Sequence, residues 1–215
     1  FQRHMLTPAD IDALLAGCHG DPFAVLGMHE HQGRVWVRAL LPGARAVRVV
    51  EAATGRAVAA LASVNPAGVF EGPVARGRRR FAYRLKVAWH GVAEGSEEEK
   101  AGGKAEEKAA VEIEDPYRFP AVLGDMDVWL LAEGKHARLY EKLGAHLVNL
   151  LGVDGVSFAL WAPNARCVSV VGEFNFWDGR RHPMRLRREC GVWEIFIPGL
   201  APGALYKYQL HASDG

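Results

Sequence analysis

One block of this chain occurs twice, and the duplication limits the folds that are open to it. Residues 35–50 align with residues 156–171, and Pro42 corresponds to Pro163 at an offset of 121 (163 − 42). Both blocks are rich in β-branched residues, and each is broken by a proline-containing turn. Two copies of a unit built from short strands and such turns predict two all-β domains rather than packed helices.

The correspondence continues outside the block. Leu-Gly at 26–27 recurs at 143–144, and Phe-Ala-Tyr-Arg-Leu at 81–85 matches Tyr-Lys-Tyr-Gln-Leu at 206–210. Along 81–89 large apolar residues alternate with polar or small ones, which is the period of a half-buried strand. The fold class predicted from these patterns is two tandem β-sandwiches.

The predicted domain limits follow from breaks in these patterns. The first domain is placed at residues 1–117, a short partly helical linker at 118–145, and the second domain at 146–215. The first domain is expected to begin with a short helix, because Thr7 is a good N-cap, Pro8 suits the first helical position and Gly17 is a helix stop.

Residues 94–110 interrupt the strand pattern with glycine, glutamate and lysine and almost no large apolar residue. Such a tract buries too little surface to offset its ordering entropy, so it is expected to be a mobile insertion, with a short frayed helix as the alternative. After residues 90–91 the first copy continues to another strand, whereas the second copy stops at 214–215. The second domain is therefore expected to be truncated, as in the N-terminal part of a longer protein.

Composition argues against several classes of partner. The chain has 215 residues and a formal net charge of +1, which does not suit a dedicated nucleic-acid binder. No apolar run approaches the length of a membrane span, and no apolar signal region follows the N-terminus. We expect a cytoplasmic protein with no nucleic-acid partner, no membrane partner and no cofactor.

The cysteines and histidines do not form a recognisable ligand set. Cys18, Cys167 and Cys190 are odd in number and widely spaced, which predicts reduced thiols rather than a disulfide framework or a zinc site. The closest histidines, His29 and His31, have no cysteine or carboxylate cluster at ligand spacing. No metal site is expected.

An aromatic loop is the candidate binding surface. A β-rich run at 167–171 leads into Gly-Glu-Phe-Asn-Phe-Trp at 172–177, and Asp-Gly closes the turn. Trp177 would stack on the apolar face of a glucose ring, or it is a core plug of a β-sandwich. Asn175 would bond a hydroxyl or cap its own turn. Lys207 lies between two tyrosines, so it faces solvent if they face the core; it would bond the hydroxyls of a ligand or is an ordinary surface lysine.

Other conspicuous residues have structural interpretations. Trp161 and Trp193 lie within predicted strands and are expected in the core, whereas Trp36, Trp89 and Trp129 suit core or interdomain packing. Five arginines between positions 180 and 188 form a basic run, for which we prefer a structural or interface role over a nucleic-acid patch. The acidic residues are scattered and form no credible catalytic pair, so no catalytic residue is assigned.

Several long motifs occur in the order of one known family. They are Asp-Pro-Phe-Ala-Val-Leu-Gly-Met-His at 21–29, Arg-Ala-Leu-Leu-Pro at 38–42, Asp-Pro-Tyr-Arg-Phe at 115–119, Tyr-Glu-Lys-Leu-Gly-Ala-His at 140–146, Trp-Ala-Pro-Asn-Ala-Arg at 161–166, Val-Gly-Glu-Phe-Asn-Phe-Trp-Asp-Gly-Arg-Arg-His-Pro-Met-Arg at 171–185, and Leu-Tyr-Lys-Tyr-Gln at 205–209. Together they resemble bacterial glycogen (1,4-α-glucan) branching enzyme over nearly the whole chain apart from residues 94–110.

The resemblance implies two N-terminal, non-catalytic domains, the second being an immunoglobulin-like starch- and glycogen-binding module. The implied partners are α-glucan (glycogen, starch or maltooligosaccharide) and the catalytic (β/α)8 barrel of the parent chain. The parent would be a glycosyltransferase of glycogen biosynthesis that moves a cleaved α-1,4-glucan segment to a glucose 6-hydroxyl, whereas this fragment would not itself be an enzyme. Within the module, Trp177 resembles the stacking tryptophan of related glycogen-binding modules.

Two alternatives to a glucan-binding and positioning region of a branching enzyme stay open. One is a purely structural region that supports the barrel and sets the length of the transferred chains. The other is a free-standing adaptor that brings a kinase to glycogen, which would share the module but not the duplicated first domain.

Overall fold

The computed structural model describes residues 6–31, 33–74, 79–90 and 110–212. The helices are α1 (Pro8–Leu15), α2 (Pro22–Val25) and α3 (Asp125–Ala132), with 3-10 turns at Pro116–Arg118, Leu139–Glu141 and Glu173–Asn175. The strands are β1 (Gly27–His31), β2 (Arg34–Leu40), β3 (Ala44–Glu51), β4 (Ala57–Asn65), β5 (Val69–Val74), β6 (Tyr83–Trp89), β7 (Val111–Glu114), β8 (Gly144–Leu150), β9 (Val153–Trp161), β10 (Ala165–Gly172), β11 (Arg185–Arg187), β12 (Val192–Pro198) and β13 (Tyr206–Ala212).

The described chain divides into two compact units. The first contains Leu26–Asp115, and the second contains Leu6–Val25 together with the chain from Pro116 onward. The change of unit at 115/116 lies two positions before residue 117, where the predicted first domain ends.

The first unit is a seven-stranded antiparallel arrangement in the order β1-β2-β5-β4-β3-β6-β7. Strand β4 pairs with β5 on one side and β3 on the other, and the register shifts in both pairings. Such bulges let one strand serve two packed sheets. One core accordingly contains Val37 and Phe70 from β2 and β5 together with Val49 and Leu85 from β3 and β6.

The second unit has two sheets, β11-β12-β9-β8 and β10-β13. Its core contains Phe158 and Trp193 from the first sheet and Val168 and Val170 from the second. The segment after the aromatic loop runs along the free side of β10, where Met184 N–H donates to the Val168 carbonyl at 2.9 Å. The predicted all-β class of two tandem sandwich domains is confirmed.

The duplication seen in the sequence is present in the structure. Strand β3 coincides with β10 when 121 is added to its residue numbers, and each pairs with the last long strand of its copy, β6 or β13. The turns entering β1 and β8 also match, since His29 Nε2 lies 2.7 Å from the Leu26 carbonyl and His146 Nε2 lies 2.9 Å from the Leu143 carbonyl.

The structure corrects the predicted domain limits at the N-terminus. The helix over Pro8–Leu15 forms with the predicted N-cap at Thr7, which makes a capping box with Asp10, but it belongs to the second unit rather than to the first. The segment that contains it is joined to β10 by a disulfide between Cys18 and Cys167, and Phe23 packs against Tyr117 with ring centroids 4.9 Å apart.

The predicted linker at 118–145 is also part of the second unit. Leu123 and Val128 share a core cluster with Ala159 and Val192. The carboxylate of Glu194, which is 1% exposed, accepts hydrogen bonds from the backbone N–H groups of residues 122 and 123 at 2.9 and 3.0 Å. These contacts fix the segment to β12 instead of leaving it as a connector.

The expectation of three reduced thiols is wrong for Cys18 and Cys167, which form a disulfide across 149 positions of sequence. Only the folded chain brings their Cα atoms to 5.1 Å, so sequence spacing gave no sign of the pair. Cys190 is free and buried. The predicted insertion at 94–110 lies outside the described residues except for Ala110.

Candidate functional site

The aromatic loop leaves β10 through an unusual backbone. After the 3-10 turn at Glu173–Asn175, Phe176 and Trp177 both adopt left-handed φ values of 58° and 60°. Two consecutive non-glycine residues in this region are uncommon and carry strain that the surroundings must hold. The Trp177 N–H donates to the Gly172 carbonyl at 2.9 Å, and both aromatic side chains are exposed, Phe176 by 79% and Trp177 by 45%. Trp177 is therefore not a core plug.

The buried side chain of Asn175 holds the backbone of this loop in place. Its side chain is 1% exposed; its oxygen accepts from Gly172 N–H at 2.9 Å, and its amide donates to the Val170 carbonyl at 2.8 Å. Because both ends of the amide are used inside the loop, Asn175 caps its own turn, the second of the two roles considered for it. It is not placed to bond a ligand hydroxyl directly.

His182 also supports the loop, through its contacts with Asn175 and Phe174. The Asn175 amide also lies 2.8 Å from His182 Nδ1, and the ring of Phe174 lies 5.7 Å from the imidazole. Burial, reinforced by the charge of Arg181, lowers the pKa of His182 to about 4. The imidazole is therefore neutral near pH 7, and its Nδ1 lone pair can accept from Asn175.

The turn after Trp177 is closed by a two-pronged ion pair. Arg180 Nε donates to Asp178 Oδ1 at 2.8 Å and its terminal nitrogen donates to Oδ2 at 2.7 Å. These hydrogen bonds, with the backbone N–H of Arg180, hold the pKa of Asp178 below its usual value against the opposing effect of burial. The fork fixes the chain immediately beyond the indole.

Lys207 lies on the neighbouring strand beside the indole. It pairs in register with Val171, is exposed, and places its Nζ 5.8 Å from the centroid of the Trp177 ring, within cation–π range. Tyr208 packs against the core as predicted and donates to the Gly144 carbonyl at 3.2 Å, whereas Tyr206 packs edge-on to Phe158 but keeps 36% of its surface exposed. The structure thus brings Trp177 and Lys207 together.

Two neighbours of this pair were missed at the sequence level. Phe176 is the most exposed aromatic of the loop, and its ring centroid lies 5.3 Å from the Arg181 guanidinium carbon. Gln209 is exposed two positions beyond Lys207, so both side chains leave the same face of β13. The strand period could have revealed Gln209, but nothing in the sequence separates the outward Phe176 from the partly buried Phe174.

The other tryptophans divide differently from expectation. Trp193 is 1% exposed and lies in the core as predicted, but Trp161 is 60% exposed, so its assignment to the core is wrong. Trp161 is the last residue of β9 and faces an open cleft of about 620 Å³ that Pro163, Arg188 and Glu189 also line. The alternation of apolar and polar residues along a strand does not show whether the last residue of that strand is buried.

The arginine run is used within the second unit. Arg185 donates to the Phe119 carbonyl at 3.0 Å and stacks its guanidinium carbon 3.5 Å from the Phe23 ring centroid. Burial lowers the pKa of Arg185 to about 10. Arg187 donates at 3.0 Å both to Glu194 and to the Leu123 carbonyl. These contacts support the structural interpretation of the run.

Within the described ranges, no group of three or more His, Cys, Asp or Glu side chains is placed to hold a metal ion. None of the helices in that part of the chain has the length and apolar character needed to cross a bilayer.

Comparison with known proteins assigns both parts of the chain. Residues 142–215 match carbohydrate-binding module 48, the isoamylase N-terminal domain, and residues 7–100 match the N-terminal domain of the alpha-1,4-glucan branching enzyme GlgB. Similar solved structures include type I pullulanase from Bacillus subtilis in complex with maltose (14% identity, TM-score 0.30, 88% of this chain and 23% of that one) and pullulanase from Anoxybacillus sp. LM18-11 (10% identity, TM-score 0.28, 86% and 24%).

The chain spans about a quarter of the length of those two structures. TM-scores this low carry no information about how this chain is arranged. The family models are the informative matches, because each covers one copy of the duplicated unit and they occur in the order branching-enzyme domain, then carbohydrate-binding module. These matches identify the chain as an N-terminal region of the α-1,4-glucan branching enzyme family.

Proposed function

We propose that this chain is an α-glucan-binding and positioning region of a glycogen branching enzyme, and that it holds glucan at Trp177 and Lys207. One observation carries the proposal. The Trp177 indole is 45% exposed on a loop whose backbone is held by the buried Asn175 side chain, and the exposed ammonium group of Lys207 lies 5.8 Å from its ring. A rigid aromatic platform beside a hydrogen-bond donor is what a neutral sugar chain requires.

The chemistry of each group matches one part of a glucose unit. The indole face packs against the C–H face of the pyranose ring, and the Lys207 ammonium donates to hydroxyl oxygens at the ring edge. Gln209 adds a donor and an acceptor on the same strand face, and Phe176 supplies a second exposed ring. Asn175, His182 and Asp178 position the platform without touching the ligand.

The roles of the whole enzyme belong to the same proposal. In the parent, a cleaved α-1,4-glucan segment is transferred to a glucose 6-hydroxyl, which requires a nucleophilic carboxylate and an acid/base carboxylate across the scissile bond. We assign that pair to the catalytic (β/α)8 barrel of the parent chain, in the cytoplasm. The region described here supplies glucan to it as a non-catalytic partner.

The proposal is tested with Trp177→Ala in a native gel that contains glycogen. An aromatic contact is worth about 1 kcal/mol, so the apparent affinity should fall severalfold, approaching the tenfold that corresponds to about 1.4 kcal/mol. The thermal midpoint should stay nearly unchanged, because the lost side chain is exposed. Trp161→Ala is the matched control, an exposed tryptophan of the same unit that should leave retardation as in the wild type.

Two results would overturn the assignment. If wild-type and Trp177→Ala proteins migrate alike through glycogen, the loop is not the glucan site and the purely structural role gains support. If Trp161→Ala is the variant that loses retardation, the glucan site is at the cleft beside Trp161.

A further inference from the structure

A single turn links the N-terminal segment to the proposed glucan loop. Gly17 follows α1 and is buried, and a Cβ built on it would lie 3.7 Å from the backbone of both Gly179 and Arg180. A side-chain carbon at this position would be in van der Waals contact with the turn that directly follows Trp177, so the two segments lie side by side. On its other side the same turn abuts Gln209 of β13, where a Cβ on Gly179 would clash. The turn is held between the N-terminal segment and the sheet.

The N-terminal segment is itself anchored at two further points. The Cys18–Cys167 disulfide ties the residue after Gly17 to β10, the strand that leads into the loop. Phe23 lies under the Arg185 guanidinium at 3.5 Å and against Tyr117. Of these anchors only the disulfide is covalent, and it directly follows Gly17, the residue that lies beside the turn.

We propose that Leu6–Val25 is a buttress that positions the Trp177 loop, and that reduction of the Cys18–Cys167 disulfide loosens it and weakens glucan binding. The effect on glucan rests on the proposed function; the mechanical part does not. The Asp178–Arg180 fork transmits the constraint, because it stiffens the turn beside Gly17 as far as the indole. Two consecutive left-handed residues need such support to stay in the exposed conformation.

The chemical step is thiol–disulfide exchange with a small dithiol. One thiolate of the dithiol attacks a sulfur of the cystine, a mixed disulfide forms, and the second thiolate releases it. The dithiol loses two electrons and two protons and becomes a cyclic disulfide. Cys18 and Cys167 gain them as two thiols, so the number of free thiols rises from one, Cys190, to three.

The mechanical part is tested by hydrogen exchange with and without dithiol. The amides of residues 177, 178 and 181 donate to carbonyls within the loop, so their exchange reports on its opening. On reduction, exchange in peptides over 172–181 should rise by about tenfold. The Gly55 amide, which bonds to Glu51 in the first unit, should not change. Unchanged loop exchange after a thiol count has confirmed reduction would overturn the buttress.

The glucan part is tested in glycogen-containing native gels. If loosening leaves about a third of the molecules with a competent loop, the apparent dissociation constant rises about threefold. Cys18→Ala should bind as the reduced wild type does and should not respond to dithiol, whereas Cys190→Ala should keep the wild-type response. A Cys18→Ala protein that binds as tightly as oxidised wild type would refute the redox dependence.

The two proposals fail separately. If the oxidised wild type shows no retardation, the glucan assignment fails, and the hydrogen-exchange comparison still decides the buttress. If retardation is present and depends on Trp177 but not on the disulfide, only the buttress fails.

Discussion

The two copies of the duplicated unit use the same pair of strands for different purposes. In the first copy β3 ends in a tight turn, where the Gly55 N–H donates to the Glu51 carbonyl at 2.9 Å, and the chain returns directly as β4. In the second copy β10 leads into the loop that carries Phe176 and Trp177. A repeated scaffold can thus gain an exposed aromatic loop by changing one connection.

The neighbouring strand shows the same divergence. Arg84 pairs in register with Val50 as Lys207 pairs with Val171, so the two cations occupy equivalent positions. The strand pairing thus shifts by two positions the match of residues 81–85 with 206–210 made from the sequence, which had placed Arg84 opposite Gln209. Arg84 Nε bonds the Glu114 carboxylate at 2.7 Å, and that bond raises the arginine pKa. Lys207 instead faces an indole, and no carboxylate among the described residues pairs with it. One cation is committed to the sheet and the other is available to a ligand.

The largest difference between the copies should appear at a pair of glutamates. Glu71 lies opposite Arg38, and Glu194 lies opposite Ala159. Because Arg38 and Ala159 are equivalent at the offset of 121 (159 − 38), the two glutamates occupy equivalent positions on the neighbouring strand. Glu194→Ala should cost about 3–5 kcal/mol of unfolding free energy, because it removes the acceptor for Arg187 and for two backbone N–H groups in a buried site.

Glu71→Ala is the matched variant and should cost less, about 3 kcal/mol. It leaves Arg38, which is 4% exposed, without the 2.6 Å bond of its Nε, but it takes no acceptor from a backbone N–H group. Urea unfolding followed by hydrogen exchange assigns each loss to its unit. Equal losses at the two sites would show that the segment after residue 116 gains nothing from Glu194.

The next effect is a dependence of stability on pH. It concerns only the second copy, since the equivalent turn of the first copy, over residues 51–57, has no histidine. The pKa of His182 is lowered from 6.5 to about 4, so below pH 6.5 the unfolded state binds a proton that the folded state does not. Stability should therefore fall as the pH drops from 6.5 towards 4, by at most about 3 kcal/mol. Partial exposure of the ring should keep the loss below that figure.

This dependence is isolated by comparing urea midpoints of the wild type and His182→Gln at pH 7 and pH 4. The variant should lose less stability than the wild type over this interval, because glutamine does not titrate. If both proteins lose the same amount, His182 does not contribute to the acid sensitivity.

The smallest predicted effect is a difference in glycogen binding between variants of Lys207 and Arg84, the two cations at equivalent positions. Lys207→Met should weaken glycogen retardation severalfold, because it removes the donor beside the indole and keeps the aliphatic stem. Arg84→Met should leave retardation unchanged and alter stability by no more than about 1 kcal/mol, as expected of a solvent-accessible ion pair. If Arg84→Met weakens binding as much as Lys207→Met, the glucan surface is not confined to the second copy.

The duplication, the sandwich class and the exposed position of Lys207 could be predicted from periodicity and repeats, because these are local features of strands. The membership of the N-terminal segment could not, since it depends on the Cys18–Cys167 bond and on Phe23 meeting Tyr117, both long-range contacts. The choice between the two roles considered for Asn175, and the outward position of Phe176, could not be predicted for another reason. Which side chain of an aromatic loop points inward depends on two left-handed φ angles that no local sequence pattern indicates.

The most direct test of the central claim is an NMR titration of the indole N–H signals with maltooligosaccharide. The chain has six tryptophans, and single substitutions assign each signal. The account predicts that the Trp177 signal shifts in a saturable way, while those of Trp36 and Trp89 in the first copy and of the buried Trp193 stay in place. A Trp177 signal that does not move while another tryptophan responds would contradict it.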